Sequence, residues 1–177
     1  MNLWHEISRG EKTPEELNVI IEIPKNSPNK YEVDKETGLI ALDRANYSSA
    51  PYPFDYGFVP QSLWEDNDPL DVVLLTTSPL VPGILVEARP VAVMRVIDCG
   101  EGDDKIIAVP KSDPRFDDVV NLDDINKHTI KEIQHFFETY KAIEGKKVVV
   151  KGVGKKADAI ATVKKGLKMY KEKFGNK

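Results

Sequence analysis

The 177-residue chain has a single cysteine, Cys99, so it can form neither an internal disulfide nor a zinc site built from several cysteines. No apolar run approaches the roughly eighteen residues that a membrane-spanning helix needs. The 25 Lys and Arg residues are outnumbered by 29 Asp and Glu, which argues against a nucleic-acid-binding surface. The opening residues, 1–6, lack the basic and apolar pattern of a secretory signal. These absences favour a cytoplasmic protein without nucleic-acid or membrane partners.

The composition is that of an ordinary folded protein with a heavily charged surface. Hydrophobic residues make up 41% of the chain and charged residues 31%. A chain of this length can bury a substantial core, so we expect a single catalytic domain over residues 1–177.

Strand patterns fill the first two thirds of the sequence and helical patterns follow. The predicted strands cover residues 19–23, 31–33, 39–42, 58–59, 72–76, 84–97, 105–109 and 148–150, and the predicted helices cover 129–144 and 158–174. Gly38 is expected to close a hairpin, and Pro90 to mark a bend or a sheet edge. This order predicts an α+β fold, a closed or nearly closed antiparallel β-barrel flanked by two α-helices.

One acidic segment is the most informative part of the chain. Residues 65–71 carry Glu65, Asp66, Asp68 and Asp71 and run directly into the apolar segment 72–75. Carboxylates about 4–5 Å apart repel by about 1 kcal/mol in water and by several times that in a cleft. Taken alone, the segment could be a solvated acidic turn. Anchored on a core strand, it is expected to bind a cation, and hard oxygen ligands select Mg²⁺, Mn²⁺ or Ca²⁺.

A calcium-binding EF-hand is excluded by spacing. A loop starting at Asp66 would need Asp or Asn at its fifth position, Gly at its sixth and Glu at its twelfth. The chain has Leu70, Asp71 and Thr77 there.

Further acids, cations and phenols accompany this segment. They are Glu22, Glu32, Asp98 and Asp103, then Lys30, Arg44, Lys105 and Lys141, and finally Tyr52, Tyr56 and Tyr140. Cationic donors have no reason to crowd a metal unless an anion lies between them. Phosphate is the expected anion, since metals and Arg or Lys clamps neutralise the charge that develops in phosphoryl transfer.

The sequence resembles the family I soluble inorganic pyrophosphatases. The matching stretches are residues 21–24, 30–34, 43–44, 52–57, 66–71, 87–91, 98–110 and 135–141, in the family's order. The pattern Asp-x-Asp-Pro-x-Asp over 66–71 is specific, and the ensemble of stretches is more so. The resemblance implies a five-stranded barrel of OB-like topology, Mg²⁺-dependent hydrolysis of pyrophosphate to two orthophosphates by a metal-bridged hydroxide, and a homohexamer of the prokaryotic type.

The resemblance also implies a role for each site residue. The implied metal ligands are Asp66, Asp71, Asp98 and Asp103, with Glu32 acting through water. The implied substrate-binding residues are Lys30, Arg44, Tyr56, Lys105, Tyr140 and Lys141. Glu22 and Tyr52 would support the site from behind. Asp68, between two metal-binding aspartates, is placed to take or orient a proton as the general base, and Tyr56 would hydrogen-bond near the nucleophile.

Two other functions are compatible with parts of this pattern. One is a phosphohydrolase acting on nucleotides or short polyphosphates, although the sequence offers no evident aromatic platform for a base. The other is a non-catalytic OB-type module that binds nucleic acid. An acidic mouth opposes that function, because phosphates would meet carboxylates first.

Overall fold

The computed structural model describes residues 1–175 as a mixed α+β fold that is mostly β in its core. The strands are β1 (Leu17–Ile23), β2 (Asn29–Val33), β3 (Ile40–Ala45), β4 (Asp55–Phe58), β5 (Asp71–Leu74), β6 (Leu85–Asp98), β7 (Glu101–Gly102), β8 (Lys105–Pro110) and β9 (Val148–Lys155). The α-helices of this part of the chain are α1 (Lys127–Thr139) and α2 (Lys156–Phe174). Neither helix is long and apolar enough to cross a bilayer.

The main sheet has seven strands in the order β1-β4-β5-β8-β6-β7; β9 pairs with β6, and β6 also pairs with β1. Most of these pairings are antiparallel, as predicted, but β5 and β8 run parallel, so the prediction of a wholly antiparallel sheet is wrong there. The reason is that the long strand β6 lies between them in sequence and runs antiparallel to β8, so that β8 returns beside β5 in the same direction. Parallel pairing sets Asp71 opposite Lys105, the first residues of their strands.

The predicted hairpin is confirmed and forms a separate two-stranded sheet from β2 and β3. Gly38 lies in its turn with φ +71°, a left-handed conformation that favours glycine. The Gly38 N–H donates to the Asp34 carbonyl at 2.7 Å, which closes the turn.

Strand β6 continues through Pro90 without interruption. Its register against β8 shifts between Pro90 and Ala92, where an irregularity accommodates the residue that cannot donate to the ladder. The expected bend is therefore a local bulge in one long strand. Strand β9 extends to Lys155, beyond the predicted end at 150.

Helix α1 ends earlier than predicted, at Thr139 instead of 144. A 3₁₀ turn follows at Ala142–Glu144, and Gly145 ends it with φ +70°. Tyr140 and Lys141 lie between the two helical segments, so the chain turns there towards the cleft described below.

Two buried clusters hold the helices against the sheet. Phe136 and Phe137 of α1 pack on Phe54, with ring centroids 5.5 and 5.4 Å from the Phe54 ring. Ala159 and Val163 of α2 are fully buried on the other side, against a cluster contributed mainly by β1, β5, β6 and β8. The helical stripes expected from the sequence therefore do face the core.

Gly57 in β4 has no room for a side chain, because an added β-carbon would lie 1.9 Å from the Ile20 carbonyl oxygen. Replacing Gly57 by alanine is expected to lower the free energy of unfolding by about 3 kcal/mol or more, since the backbones of β4 and β1 would have to separate. Urea unfolding measures the change. Gly166→Ala in α2, whose nearest contact would be 3.3 Å, is the milder control. A wild-type unfolding midpoint for Gly57→Ala would contradict the close strand packing.

Candidate active site

A cleft of about 400 Å³ opens at the end of the sheet where β5 and β8 begin. The predicted site residues, apart from Arg44 and Tyr52, line this cleft together. They are Glu22, Lys30, Glu32, Tyr56, Asp66, Asp68, Asp71, Asp98, Asp103, Lys105, Tyr140 and Lys141.

The centre of the cleft is a hydrogen-bonded group formed by Tyr56, Asp71, Lys105 and Asp103. The Tyr56 hydroxyl donates to Asp71 Oδ2 at 2.5 Å, and Lys105 Nζ donates to the same oxygen at 2.5 Å. Lys105 Nζ also donates to Asp103 Oδ1. Neighbouring strands place these groups, with Tyr56 in β4, Asp71 at the start of β5 and Lys105 at the start of β8.

Burial makes this group of carboxylates electrostatically unfavourable. It raises the pKa of Asp71 to about 6, although the adjacent Lys105 ammonium opposes the rise. Burial also raises the pKa values of Asp66 and Asp103. For Glu22, burial first and then the negative charge of Asp71 raise the pKa to about 8, against a hydrogen bond from the Val33 N–H at 2.7 Å. The site therefore favours either protons or added positive charge.

These raised pKa values predict that the metal-free protein becomes less stable as pH rises. Glu22 has an ordinary pKa of 4.5 and a folded-state pKa of about 8, so between these values the folded state binds more protons than the unfolded state. The free energy of unfolding therefore falls with pH in that window. Thermal unfolding in EDTA from about pH 5 to about pH 8 should show a steeper decline for the wild type than for Glu22→Gln. If the melting temperatures of the wild type and of Glu22→Gln fell equally with pH, the raised pKa of Glu22 would be contradicted.

The phenols in the cleft and behind it remain protonated. Burial raises the pKa values of Tyr52, Tyr56 and Tyr140 above their ordinary range. Tyr52 does not line the cleft but packs behind it, with its ring centroid 4.7 Å from Phe136 and 6.5 Å from Tyr140. Its role in supporting the site stays a prediction.

The cationic side chains at the cleft pair with carboxylates. Lys141 Nζ donates to Asp98 Oδ2. Partial burial by itself would raise the pKa of Asp98, but the hydrogen bond and the positive charge of Lys141 outweigh burial, so the pKa of Asp98 is lower than its ordinary value. Lys30 Nζ forms an ion pair with Glu32 and lies 3.1 Å from Asp43 Oδ2. An anion that enters the cleft could therefore replace these carboxylates as the partner of the Lys30 and Lys141 ammonium groups.

Arg44 lies beside the cleft and shares the carboxylate of Asp43 with Lys30. Its Nη1 donates to Asp43 Oδ2 at 2.6 Å, and its Nε is 3.5 Å from Glu144 Oε1. The Nε is buried without a hydrogen-bond partner. One donor of the guanidinium is therefore still unsatisfied.

The donor set fits a hard divalent cation, although among residues 1–175 no three His, Cys, Asp or Glu side chains are already grouped as a metal site. Lys105 Nζ lies between Asp71 and Asp103 and provides the positive charge at that point. Asp98 Oδ1 is buried without a partner, and a cation would satisfy such an oxygen. Oxygen donors alone suit Mg²⁺, Mn²⁺ or Ca²⁺. The assignment of individual metal ligands stays a prediction.

Sequence reasoning missed several residues that line the cleft, notably Lys35, Glu101 and Lys146. Lys35 lies in the turn between β2 and β3, and its Nζ pairs with Asp68 Oδ1. The predicted hairpin gave the signal for Lys35, because a hairpin that carries Lys30 and Glu32 into the cleft also carries its turn there.

Comparison with known proteins gives consistent matches along the chain. The family model described as inorganic pyrophosphatase matches residues 19–171. An inorganic pyrophosphatase of Haloferax volcanii is 44% identical over 175 residues, covering 98% of this chain and 99% of the relative. Soluble inorganic pyrophosphatase 5 of Arabidopsis thaliana is 45% identical over 169 residues, covering 96% and 78%. The crystal structure of inorganic pyrophosphatase from Thermus thermophilus aligns with a TM-score of 0.93 at 42% identity, covering 97% of this chain and 99% of that one.

Proposed function

Since the chain belongs to the inorganic pyrophosphatase family and is an enzyme that hydrolyses pyrophosphate, we propose that it does so in this cleft with Mg²⁺, releasing two orthophosphates. The resemblance read from the sequence is thereby confirmed at the level of the family. The observation that supports the proposed site best is the buried group of Asp71, Lys105 and Asp103, in a cleft lined by further acidic and cationic side chains.

Asp66, Asp71, Asp98 and Asp103 would hold the metal ions, with Glu32 contributing through water. Bound Mg²⁺ would supply a water of lowered pKa and would neutralise phosphate oxygens. The raised pKa values of Asp66, Asp71 and Asp103 support this assignment, because added positive charge would relieve the cost of burying these carboxylates.

Asp68 is proposed to accept the proton of the attacking water at its carboxylate. Its side chain is half-exposed at the cleft, and Pro69 stiffens the backbone that follows it. Its ion pair with Lys35 holds the carboxylate in the cleft. Tyr56, which donates to Asp71, would orient groups near the nucleophile without releasing its own proton.

Lys30, Arg44, Lys105, Tyr140 and Lys141 are proposed to bind the two phosphates and stabilise the leaving phosphate as its charge rises. The assignment is supported by the cleft lining, which includes Lys30, Lys105, Tyr140 and Lys141, and by Asp43, which pairs with both Lys30 and Arg44. Loss of one donor that acts in the transition state typically costs about 3 kcal/mol, a hundredfold or more in rate.

Several broader assignments belong to the same proposal. We propose that β1, β4, β5, β8 and β6 form a closed five-stranded OB-like barrel, supported by the successive pairings and by the pairing of β6 with β1. A single catalytic domain over residues 1–177, a cytoplasmic location and a homohexamer stay predictions. Size-exclusion chromatography with light scattering tests the hexamer, and a monomer mass would refute it.

A phosphate-release assay tests the proposed function. Pyrophosphate should be hydrolysed with Mg²⁺, not with EDTA, and faster than ATP. A preference for ATP would favour the nucleotide phosphohydrolase. Turnover that persists unchanged in EDTA would refute the Mg²⁺ dependence, and tight binding of single-stranded nucleic acid without Mg²⁺ would favour the binding module.

A further inference from the structure

The acidic loop, residues 65–68, presents its side chains alternately to the cleft and to α2. Asp66 and Asp68 line the cleft, whereas Glu65 and Asn67 contact lysines of α2. The loop is tight: the Trp64 N–H donates to the Asp68 carbonyl at 2.7 Å, and Asn67 adopts a left-handed φ of +67°. A movement of the outward side chains would therefore move the inward carboxylates as well.

Two lysines of α2 hold the outward side of the acidic loop. Lys165 Nζ donates to Glu65 Oε1 and lies 4.6 Å from the centroid of the Trp64 ring. Lys173 Nζ donates to Asn67 Oδ1 at 2.9 Å. A backbone hydrogen bond from Leu63 to the Gly166 carbonyl, 3.1 Å long, fixes the start of the loop to the same helix. The loop is thus attached to α2 at three points outside the cleft.

The inward side of the loop carries like charges that repel one another. Asp66 accepts a hydrogen bond from the Asp68 N–H at 3.1 Å and experiences the negative charge of Asp71. Like charges push the loop outwards, and the α2 lysines attract its outer face in the direction of the helix. Lys165 and Glu65 are half-exposed, so their ion pair adds little to the global stability of the fold. The ion pair between Lys165 and Glu65 can nevertheless restrict the position of the acidic loop.

We propose that Lys165 and Lys173 are positioning residues for the reaction, which hold the acidic loop so that Asp66 can bind metal and Asp68 can reach the water. This inference rests on the proposed function of the cleft. The two lysines lie outside the cleft and act through Glu65, Asn67 and the Trp64 ring.

The test is the double variant Lys165→Met/Lys173→Met. Mg²⁺ binding to the substrate-free protein, measured by calorimetry, should weaken by about threefold to tenfold, as expected for the loss of two exposed contacts. The kcat for phosphate release should fall by a similar factor while the KM for pyrophosphate is retained, because the cationic clamp is untouched. The melting temperature in EDTA should stay within about 2 °C of the wild type.

Lys164→Met/Lys168→Met is the matched control, since it removes the same charge from exposed positions of the same helix. It should bind Mg²⁺ as the wild type does, and Lys165→Arg/Lys173→Arg should restore binding. Wild-type Mg²⁺ affinity in the first double variant, or an equal loss in the control, overturns the proposal.

Glu65→Gln provides a second route from the loop side should the double variant fail to fold. Mg²⁺ binding weaker than that of Glu101→Gln, which removes the same charge from the cleft, supports the proposal, and binding equal to that of Glu101→Gln or of the wild type overturns it. A wild-type protein without Mg²⁺-dependent phosphate release would refute the proposed function, while the calorimetric comparison would still decide the role of the lysines.

Discussion

Asp71→Asn is expected to raise the Mg²⁺ concentration needed for activity by about 100-fold or more. A unit charge about 4 Å from a cation contributes about 4 kcal/mol at an effective dielectric constant of 20, and every 1.4 kcal/mol is a factor of ten. The fold should survive, because the asparagine oxygen can still accept from Tyr56 and Lys105. An Mg²⁺ titration of phosphate release measures the shift.

Asp104→Asn is the control for this prediction. Asp104 follows Asp103 in the chain, but its side chain bonds to Arg95 at 2.6 Å and to the Val96 N–H at 3.2 Å. It should retain the wild-type Mg²⁺ requirement. An unaltered Mg²⁺ titration for Asp71→Asn would refute the role of Asp71 as a metal ligand.

Asp68→Asn is expected to remove most turnover while leaving Mg²⁺ binding largely intact. A general base typically contributes about 100-fold to 10,000-fold to the rate, and an asparagine of the same shape cannot accept the proton. The kcat for pyrophosphate and the Kd for Mg²⁺, measured on the same preparation, separate the two effects.

Glu101→Gln serves as the comparison, because Glu101 lines the same cleft without an assigned role. It should keep most of the turnover, which would exclude a general effect of removing one negative charge. A wild-type rate for Asp68→Asn would take the proton transfer away from Asp68.

Most of the residues that line the cleft could be named from the sequence, but for two different reasons. The Asp-x-Asp-Pro-x-Asp pattern next to an apolar strand indicates a cation site by itself, whereas Tyr140 and Lys141 at the end of a helical stripe were assigned through the resemblance to the family. The β2–β3 hairpin was predictable for a similar reason, since Gly38 supplies the turn between two short strands.

The direction of β8 relative to β5 could not be predicted, because it depends on where a chain returns after an intervening strand. The end of α1 at Thr139 was missed because the apolar stripe continues through Tyr140, while the backbone leaves the helical conformation at the next residue, Lys141. The contacts of Lys165 and Lys173 join residues about a hundred positions apart, and exposed lysines carry no pattern that names their partners.

The parallel ladder between β5 and β8 ties the chemistry of the cleft to backbone alignment. Successive side chains of a strand point to opposite faces, so a slip of one residue would turn Asp71 away from Lys105 and bring an apolar neighbour in its place. Small errors in how these two segments associate would thus abolish function before much secondary structure is lost. Catalytic competence should report correct refolding more sharply than circular dichroism does.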